Sequence, residues 1–479
     1  MATIAPTTPE LSHRRRLLVL AICCMSLLLV SLDVTIVNVA LPSIQRDLHA
    51  SLSDLQWTLD AYTLVLAALL MLSGSTADRL GRRRVFQVGL VVFTAGSALC
   101  AVAPSLEFLV AARVLQAVGG SMLNPVALSI VRNVFEDPRE RAQAVGLWGA
   151  ASGLGTALGP VLGGALVDGP GWRYVFLVNV PIGLVAMVLT VLFVPESRAP
   201  RPRRLDPVGQ VLVIVWLAAL VFAIIEGGRR GWTSPGILAC FALALVAFVA
   251  LVVYELRRRE PLIEIRFFRS VPFSGASATA VCAFAAMGGF IFLGTLYLQA
   301  VRGYSALHAG LYSLPMALMT LVLAPLSGRI VGSRGPRGPL ILAGAFLTAG
   351  PLLLVGLDVH TSPGVLVAAY LVFGAGMGLV NPPITTAAIS GMPPDQAGVA
   401  AATASTSRQV GFALGVAVLG AITGAGASQH FGPAFATSTH PGWALISGLG
   451  VVVLVLGALT STQWALRTAR QTAARLALD

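Results

Sequence analysis

The chain has 479 residues, 56% hydrophobic and 11% charged, and its formal net charge of +12 comes from 32 arginines and no lysine. A soluble domain carries roughly 25% charged residues, so these charges are too few to build a water-facing surface for a chain of this size. The basic balance alone would raise nucleic-acid binding, but the arginines sit in short loops between long apolar runs, which excludes a nucleic-acid face.

The first apolar run follows His13-Arg14-Arg15-Arg16. That start resembles a secretory signal, but the run is too long, it contains Asp33 and Asn38, and no small-residue cleavage site follows. It reads as a first membrane span. Runs of about 20 apolar residues match a hydrocarbon core about 30 Å thick. They predict an all-α integral membrane protein with spans at 17–41, 56–77, 85–103, 107–131, 143–167, 174–194, 207–226, 236–255, 271–299, 309–330, 339–357, 363–390, 400–424 and 442–461. Fourteen spans put both termini on one side. The loops and ends of that side hold 25 of the arginines, and the other side holds only Arg46, Arg173, Arg229, Arg230 and Arg302. Loops rich in arginine stay inside, so both termini are expected in the cytoplasm. Arg113 and Arg408 alone lie within spans.

Gly74, Gly81 and Arg83, around the loop after span 2, recur 254 residues later as Gly328, Gly335 and Arg337 after span 10. A fixed offset of this kind marks a duplication. The expected organisation is a cytoplasmic tail (1–16), a six-helix bundle (17–194), a linker with two inserted helices (195–270), a second six-helix bundle (271–461) and a cytoplasmic tail (462–479). No loop is large enough for a soluble catalytic domain, and no acid/base or metal constellation converges at a membrane face, so an enzyme is not expected. The five cysteines fall inside apolar runs without metal spacing and read as small buried hydrophobes.

Ionisable groups in hydrocarbon are costly and face a cavity or a partner. Asp33, about 24 Å along span 1, and Arg113, about 9 Å into span 4, reach the same outer third of the membrane at 1.5 Å per residue. Together they can exchange a proton as their surroundings change or form a static bridge. The six histidines (His13, His49, His308, His360, His430, His440) lie in loops or near span ends, so a proton relay would use carboxylates. In the loop 74–84, Gly74 and Gly81 permit a tight turn. Asp78 there can accept hydrogen bonds from an arginine (Arg79, Arg82 or Arg83) or from a helix N-terminus, holding two halves together in one conformation and releasing them in another. In span 5, Gly155, Gly159 and Gly163, with Gly164, give a smooth face for close helix packing. Pro160 bends that helix, which suits a hinge or a seal between halves. Asn38, Tyr62, Gln116, Asn124, Trp148, Tyr297, Gln299 and Arg408 are the candidates for lining a substrate cavity.

These strings resemble the major facilitator superfamily. Residues 74–84 are similar to its motif A. Arg113-Val-Leu-Gln116-Ala-Val-Gly119-Gly120 is similar to motif B, with Ala117 where glycine is usual. Residues 155–164 are similar to motif C, which marks antiporters. Fourteen spans, Leu32-Asp33-Val-Thr-Ile-Val-Asn38 in span 1, Gly171-Trp172-Arg173 before span 6 and Arg408-Gln409-Val-Gly411 in span 13 resemble the drug:proton antiporters of the EmrB/QacA type. The resemblance implies two six-helix bundles rocking about a midplane cavity, export driven by protons and no cofactor or metal. Asp33 would then be the coupling acid with Arg113 its partner, and Asp78 with Arg82 the gating latch. The expected partners are a small lipophilic or monocationic substrate, protons and the bilayer, with the chain acting as a monomer. Some relatives that export dications carry an acid in span 10; none occurs here, which favours neutral, zwitterionic or monocationic cargo. The alternatives are a dedicated exporter of one endogenous metabolite and a proton-coupled importer.

Overall fold

The computed structural model describes residues 12–199, 205–258, 260–390, 392, 397–424 and 433–476. Residues 1–11 and 477–479, the loop arginines Arg201, Arg203, Arg204 and Arg259, and His430 lie outside the described residues.

The described residues form helices and no strand. In order these are α1 (His13–Leu48), α2 (Leu52–Leu80), α3 (Arg82–Ala101), α4 (Leu106–Val134), α5 (Pro138–Asp168), α6 (Tyr174–Leu177), α7 (Asn179–Phe193), α8 (Pro207–Arg230) and α9 (Pro235–Arg257). A 3-10 turn at Ile265–Arg269 leads into α10 (Val271–Leu296), which ends in a π turn at Tyr297–Val301. Then come α11 (Ala306–Leu311), α12 (Leu314–Arg334), α13 (Arg337–Leu352), α14 (Pro363–Ile389), α15 (Ala397–Gly424), α16 (Pro433–Ser438), α17 (His440–Thr460) and α18 (Gln463–Leu476). Thirteen helical stretches among the described residues are long and apolar enough to cross a membrane.

Helix starts follow the sequence closely. Ser51 and Asp54 close a capping box at the head of α2, and Ser105 caps α4. Proline opens α5, α8, α9, α10, α14 and α17, where its missing N–H costs nothing. The helices outrun the apolar windows because arginine stems continue a helix while their heads reach polar surroundings; α1 thus spans 36 residues and includes Arg14, Arg15 and Arg16.

Two expected spans are broken. The span expected at 174–194 is α6 and α7 joined at Val178, and the one expected at 309–330 is α11 and α12. Each break has a proline four residues beyond the last residue of the shorter helix (Pro181 after Leu177, Pro315 after Leu311), so that residue's carbonyl has no i+4 donor. The stretch expected as a cytoplasmic tail at 462–479 contains α18, which packs on α10 and the 3-10 turn and buries Ala465, Ala469 and Thr472.

The packing repeats. In the first half α1 lies against α5, α2 against α4, and α3 against α4; in the second α10 lies against α15, α12 against α14, and α13 against α14. The register repeats as well. Gly155 and Gly159 of α5 sit on Ser31 and Thr35 of α1, while Gly411 and Gly415 of α15 sit on Val281 and Ala285 of α10. Gly81 and Gly335, one repeat apart, end α2 and α12 with positive φ of 117° and 82°, a conformation that penalises any Cβ. Between the halves, α2 packs on α15, and α5 on α11 and α12. The inserted α8 covers the α2–α15 seam: Gln210 donates to the Ala68 carbonyl at 2.7 Å, and Trp57 donates to Glu226 at 3.3 Å. The partner of α8 is α9, whose Leu243, Leu245, Val246 and Val249 are exposed, an apolar face suited to lipid.

Candidate functional site

Five helices of the first half converge on Asp33. Its Oδ2 accepts from Arg113 Nη1 at 2.5 Å, and its Oδ1 accepts from Gln116 Nε2 at 2.7 Å and Asn179 Nδ2 at 3.0 Å. Arg113 also donates to Gln116 Oε1 at 2.7 Å and to the Thr58 carbonyl at 3.2 Å, and its guanidinium lies 4.1 Å from the centre of the Tyr62 ring. Gln116 donates a further bond to Ser97 at 2.7 Å. The side chains of Asp33 and Arg113 are 0% and 1% exposed, so the pair is shut off from solvent. Two charges are tolerated there because each is met by the other and by fixed dipoles.

Sequence reasoning missed a second acid. Asp60 of α2 is 0% exposed; the Thr63 hydroxyl faces its Oδ1 at 3.5 Å, and its Oδ2 has no partner among the described residues. Its place inside an apolar run was the available signal. The polar start of α2 (Ser51, Asp54, Gln56, Trp57) masks that signal, because it makes the acid look like part of a helix end.

The turn between α2 and α3 is tied within its own half. Asp78 accepts two bonds from Arg82, at 2.9 and 3.1 Å. Glu196, after α7, accepts from the Arg83 N–H, and Arg83 also reaches the Val194 carbonyl, while Arg79 is exposed. A Cβ on Gly81 would fall 2.6 Å from Glu196 Oε1, so the turn and this carboxylate share one space. Gly74 lines a cavity opposite Pro125 of α4.

The α5 glycines serve two contacts. Gly155, Gly159 and Gly163 face α1, where a Cβ on Gly163 would come 2.9 Å from the Ile36 carbonyl oxygen. Gly164 faces Ala306 and Leu307, and the Pro160 carbonyl meets Gly310, both contacts being with α11 in the other half. Asp168 at the end of α5 accepts from the Ala306 and Leu307 N–H groups at 3.0 and 2.8 Å. At the same end of the molecule Gln299 donates to the Val39 carbonyl at 2.9 Å, and Gln56 to the Val416 and Ala417 carbonyls at 3.1 and 2.8 Å. Tyr297 donates to the Asp358 carbonyl at 2.5 Å there, and the Thr361 hydroxyl holds the Asp358 carboxyl below its ordinary range. The two halves are thus joined at this end.

A cavity of about 730 Å³ lies between them, reaching the other end. Its walls include Asn124 of α4, Trp148 of α5 and Arg408 of α15, with Asp78, Arg82 and Arg132 nearer the loops. Of the candidate lining residues, these three (Asn124, Trp148, Arg408) do line it. Gln116 and Tyr62 belong to the Asp33 cluster instead, Asn38 donates to the Val34 carbonyl of its own helix, and Tyr297 and Gln299 sit in the closed end. No group of His, Cys, Asp or Glu among the described residues could hold a metal ion.

Two bundles of matching packing around a central cavity, with a buried acid–arginine pair in one, narrow the family sharply. The family model described as Major Facilitator Superfamily matches residues 23–416. The chain belongs to the major facilitator superfamily. Among curated superfamily members, the Multidrug resistance protein Stp of Mycobacterium tuberculosis (strain CDC 1551 / Oshkosh) is 38% identical, over 88% of this chain and 78% of that one. The Multidrug efflux pump LfrA of Mycolicibacterium smegmatis is 35% identical, over 97% of this chain and 93% of that one. A solved bacterial homologue of the human drug peptide transporters PepT1 and PepT2 shares the superfamily fold with a TM-score of 0.66 at 16% identity, over 96% of this chain and 99% of that one. As a superfamily transporter, the chain is a multi-pass protein of the cell membrane.

Proposed function

We propose that the chain is a proton-driven antiporter that exports small lipophilic drugs and antibiotics by alternating access. The observation that carries this reading is the cavity between the halves, which reaches the arginine-rich end of the bundle while contacts between α5 and α11 close the opposite end. With that end cytoplasmic, the cavity is poised to load from inside the cell. The names of Stp and LfrA point to resistance and efflux of many compounds, which supports a polyspecific exporter.

The topology in this reading has fourteen spans, with α13 as the one beyond the thirteen. At 16 residues α13 is short, but the register of its neighbours supports a crossing. Thr320 and Ser327 of α12 bond the Gly374 and Leu379 carbonyls of α14, so α12 and α14 run parallel. Two parallel neighbours in sequence need the helix between them to run back. Residues 17–194 and 271–461 are then the two rocking bundles, 195–270 carries the inserted hairpin, and both ends of the chain face the cytoplasm.

Asp33 is the proton-coupling acid, with Arg113 stabilising its charged form, and Asp60 is a second carboxylate able to carry a proton. The Asp78–Arg82 turn is the latch, released from the second half in this state. The Gly155–Gly164 face of α5 is the hinge and outer seal. Protons supply the driving force in place of a cofactor, and the single chain in its bilayer holds all these parts. Drug susceptibility of cells with and without the gene tests the reading: expression should raise the inhibitory concentration of several unrelated lipophilic drugs, and an unchanged panel would contradict it.

A further inference from the structure

Arg408, a half-buried charge, stands apart from the buried Asp33–Arg113 pair. It lies on α15 about 16 Å from the helix start at 1.5 Å per residue, near mid-membrane depth, and it lines the cavity. Its Nη1 is enclosed without a hydrogen-bond partner among the described residues, and it forms no ion pair with an acid among them. Arg113, the one arginine fully buried among the described residues, has Asp33 as its counter-charge. A guanidinium in a membrane interior without one is costly, and a costly group retained on a cavity wall is explained by a ligand that completes it.

The rest of the cavity agrees. Trp148 Nε1 and Asn124 Oδ1, on residues lining the same cavity, are also buried without partners among the described residues. The acids on the walls are engaged elsewhere: Asp78 holds Arg82, and Asp206 accepts from Gly209 and Tyr254. Glu260, at the loop end, has its own interactions. Arg132 adds a second positive charge between Arg408 and the loops. The lining holds three acids (Asp78, Asp206, Glu260) and three arginines (Arg82, Arg132, Arg408), so it is the unpaired Arg408, in low-dielectric walls that strengthen any ion contact, rather than net charge that favours an anionic ligand.

We propose that the cavity binds lipophilic anions, taking a carboxylate, sulfonate or ionised phenol on Arg408 with Trp148 and Asn124 completing the polar contacts. This rests on the transporter reading and narrows it. The sequence pointed to neutral, zwitterionic or monocationic cargo because span 10 lacks an acid; the unpaired cation in the cavity shifts the preference to the opposite charge. A bidentate guanidinium–carboxylate contact in a dry site is among the stronger polar interactions a protein makes.

Fluorescein and rhodamine 123 share a xanthene skeleton and differ in charge, so they are suitable probes. Binding of each to the full chain would be measured in nanodiscs of neutral phosphatidylcholine, with and without millimolar inorganic phosphate, for wild type, Arg408→Gln and Arg408→Lys. Fluorescein should bind wild type at least about tenfold more tightly than rhodamine 123, one charge-assisted contact being worth about that factor. Arg408→Gln should abolish the preference, Arg408→Lys should restore part of it, and phosphate should not displace fluorescein. Equal binding of both dyes by wild type, a preference for rhodamine 123, no binding of either, or fluorescein affinity unchanged in Arg408→Gln would each overturn the proposal. Displacement of fluorescein by phosphate would reduce the site to a simple anion site and overturn the lipophilic-anion assignment. Uptake into everted vesicles separates the two readings. Charge-selective binding without gradient-driven uptake would refute export and leave the anion site standing; uptake of rhodamine 123 indifferent to Arg408 would do the reverse.

Discussion

The Asp33–Arg113 pair predicts a large energetic coupling. Replacing Arg113 with Met leaves the Asp33 carboxylate buried with only the Gln116 and Asn179 amides as donors, takes one donor from the Thr58 carbonyl, and leaves Gln116 Oε1 only the weak Cys100 thiol. Removing one partner of a buried ion pair costs about 3–5 kcal/mol. Asp33→Asn keeps an oxygen for the two amides but strands the guanidinium, at a cost in the same range of about 3–5 kcal/mol. The double variant removes both charges, and Met fills much of the arginine's volume against Tyr62. Its loss should therefore fall short of the sum of the single losses by at least about 2 kcal/mol, as coupling energies of close buried pairs do. Denaturant unfolding of the four proteins, purified in detergent and followed by tryptophan fluorescence, measures the cycle. Losses that add to within about 0.5 kcal/mol, the range for independent sites, would refute the pairing.

Other consequences are more local. Gly163→Leu drives a side chain into the Ile36 carbonyl and should cost about 1–3 kcal/mol of stability while slowing transport, read as a lower melting temperature and a reduced uptake rate. Gly81→Ala should destabilise by about 1–3 kcal/mol for its φ of 117°. Adding Glu196→Ala should recover only part of that, since it relieves the close approach and not the backbone strain. Asp60→Asn should leave expression and folding intact but lower gradient-driven uptake more than exchange of labelled for unlabelled substrate at zero gradient. Equal loss of both activities would assign Asp60 a structural role.

Much of the fold was legible because membranes enforce simple rules. Apolar runs had to become spans, and the paired glycines at 81 and 335 could be read as turns since both need positive φ. Asp33 and Arg113 were legible together because only one depth suits both. The helix breaks at Val178 and after Leu311 do not show in the hydropathy, because Pro181 and Pro315 are single residues inside runs whose other members are apolar enough to read as unbroken spans. The pairing of Gln299 with the Val39 carbonyl, and so its place in the closed end, depends on how the halves meet, which no local pattern encodes. Asn124, Trp148 and Arg408 read as three scattered polar positions; only the way the two halves enclose one cavity brings them around the same space. The inserted hairpin reads as two more apolar runs, while its task of covering the α2–α15 seam lies in two contacts, Gln210 to Ala68 and Glu226 to Trp57.

The most direct test of the central claim is substrate uptake into everted membrane vesicles under an imposed inside-acid gradient. Proton-driven export from the cell predicts accumulation that collapses when a protonophore is added and is lost in Asp33→Asn although that protein reaches the membrane. Accumulation that persists without the gradient, or at the wild-type rate in Asp33→Asn, would contradict it.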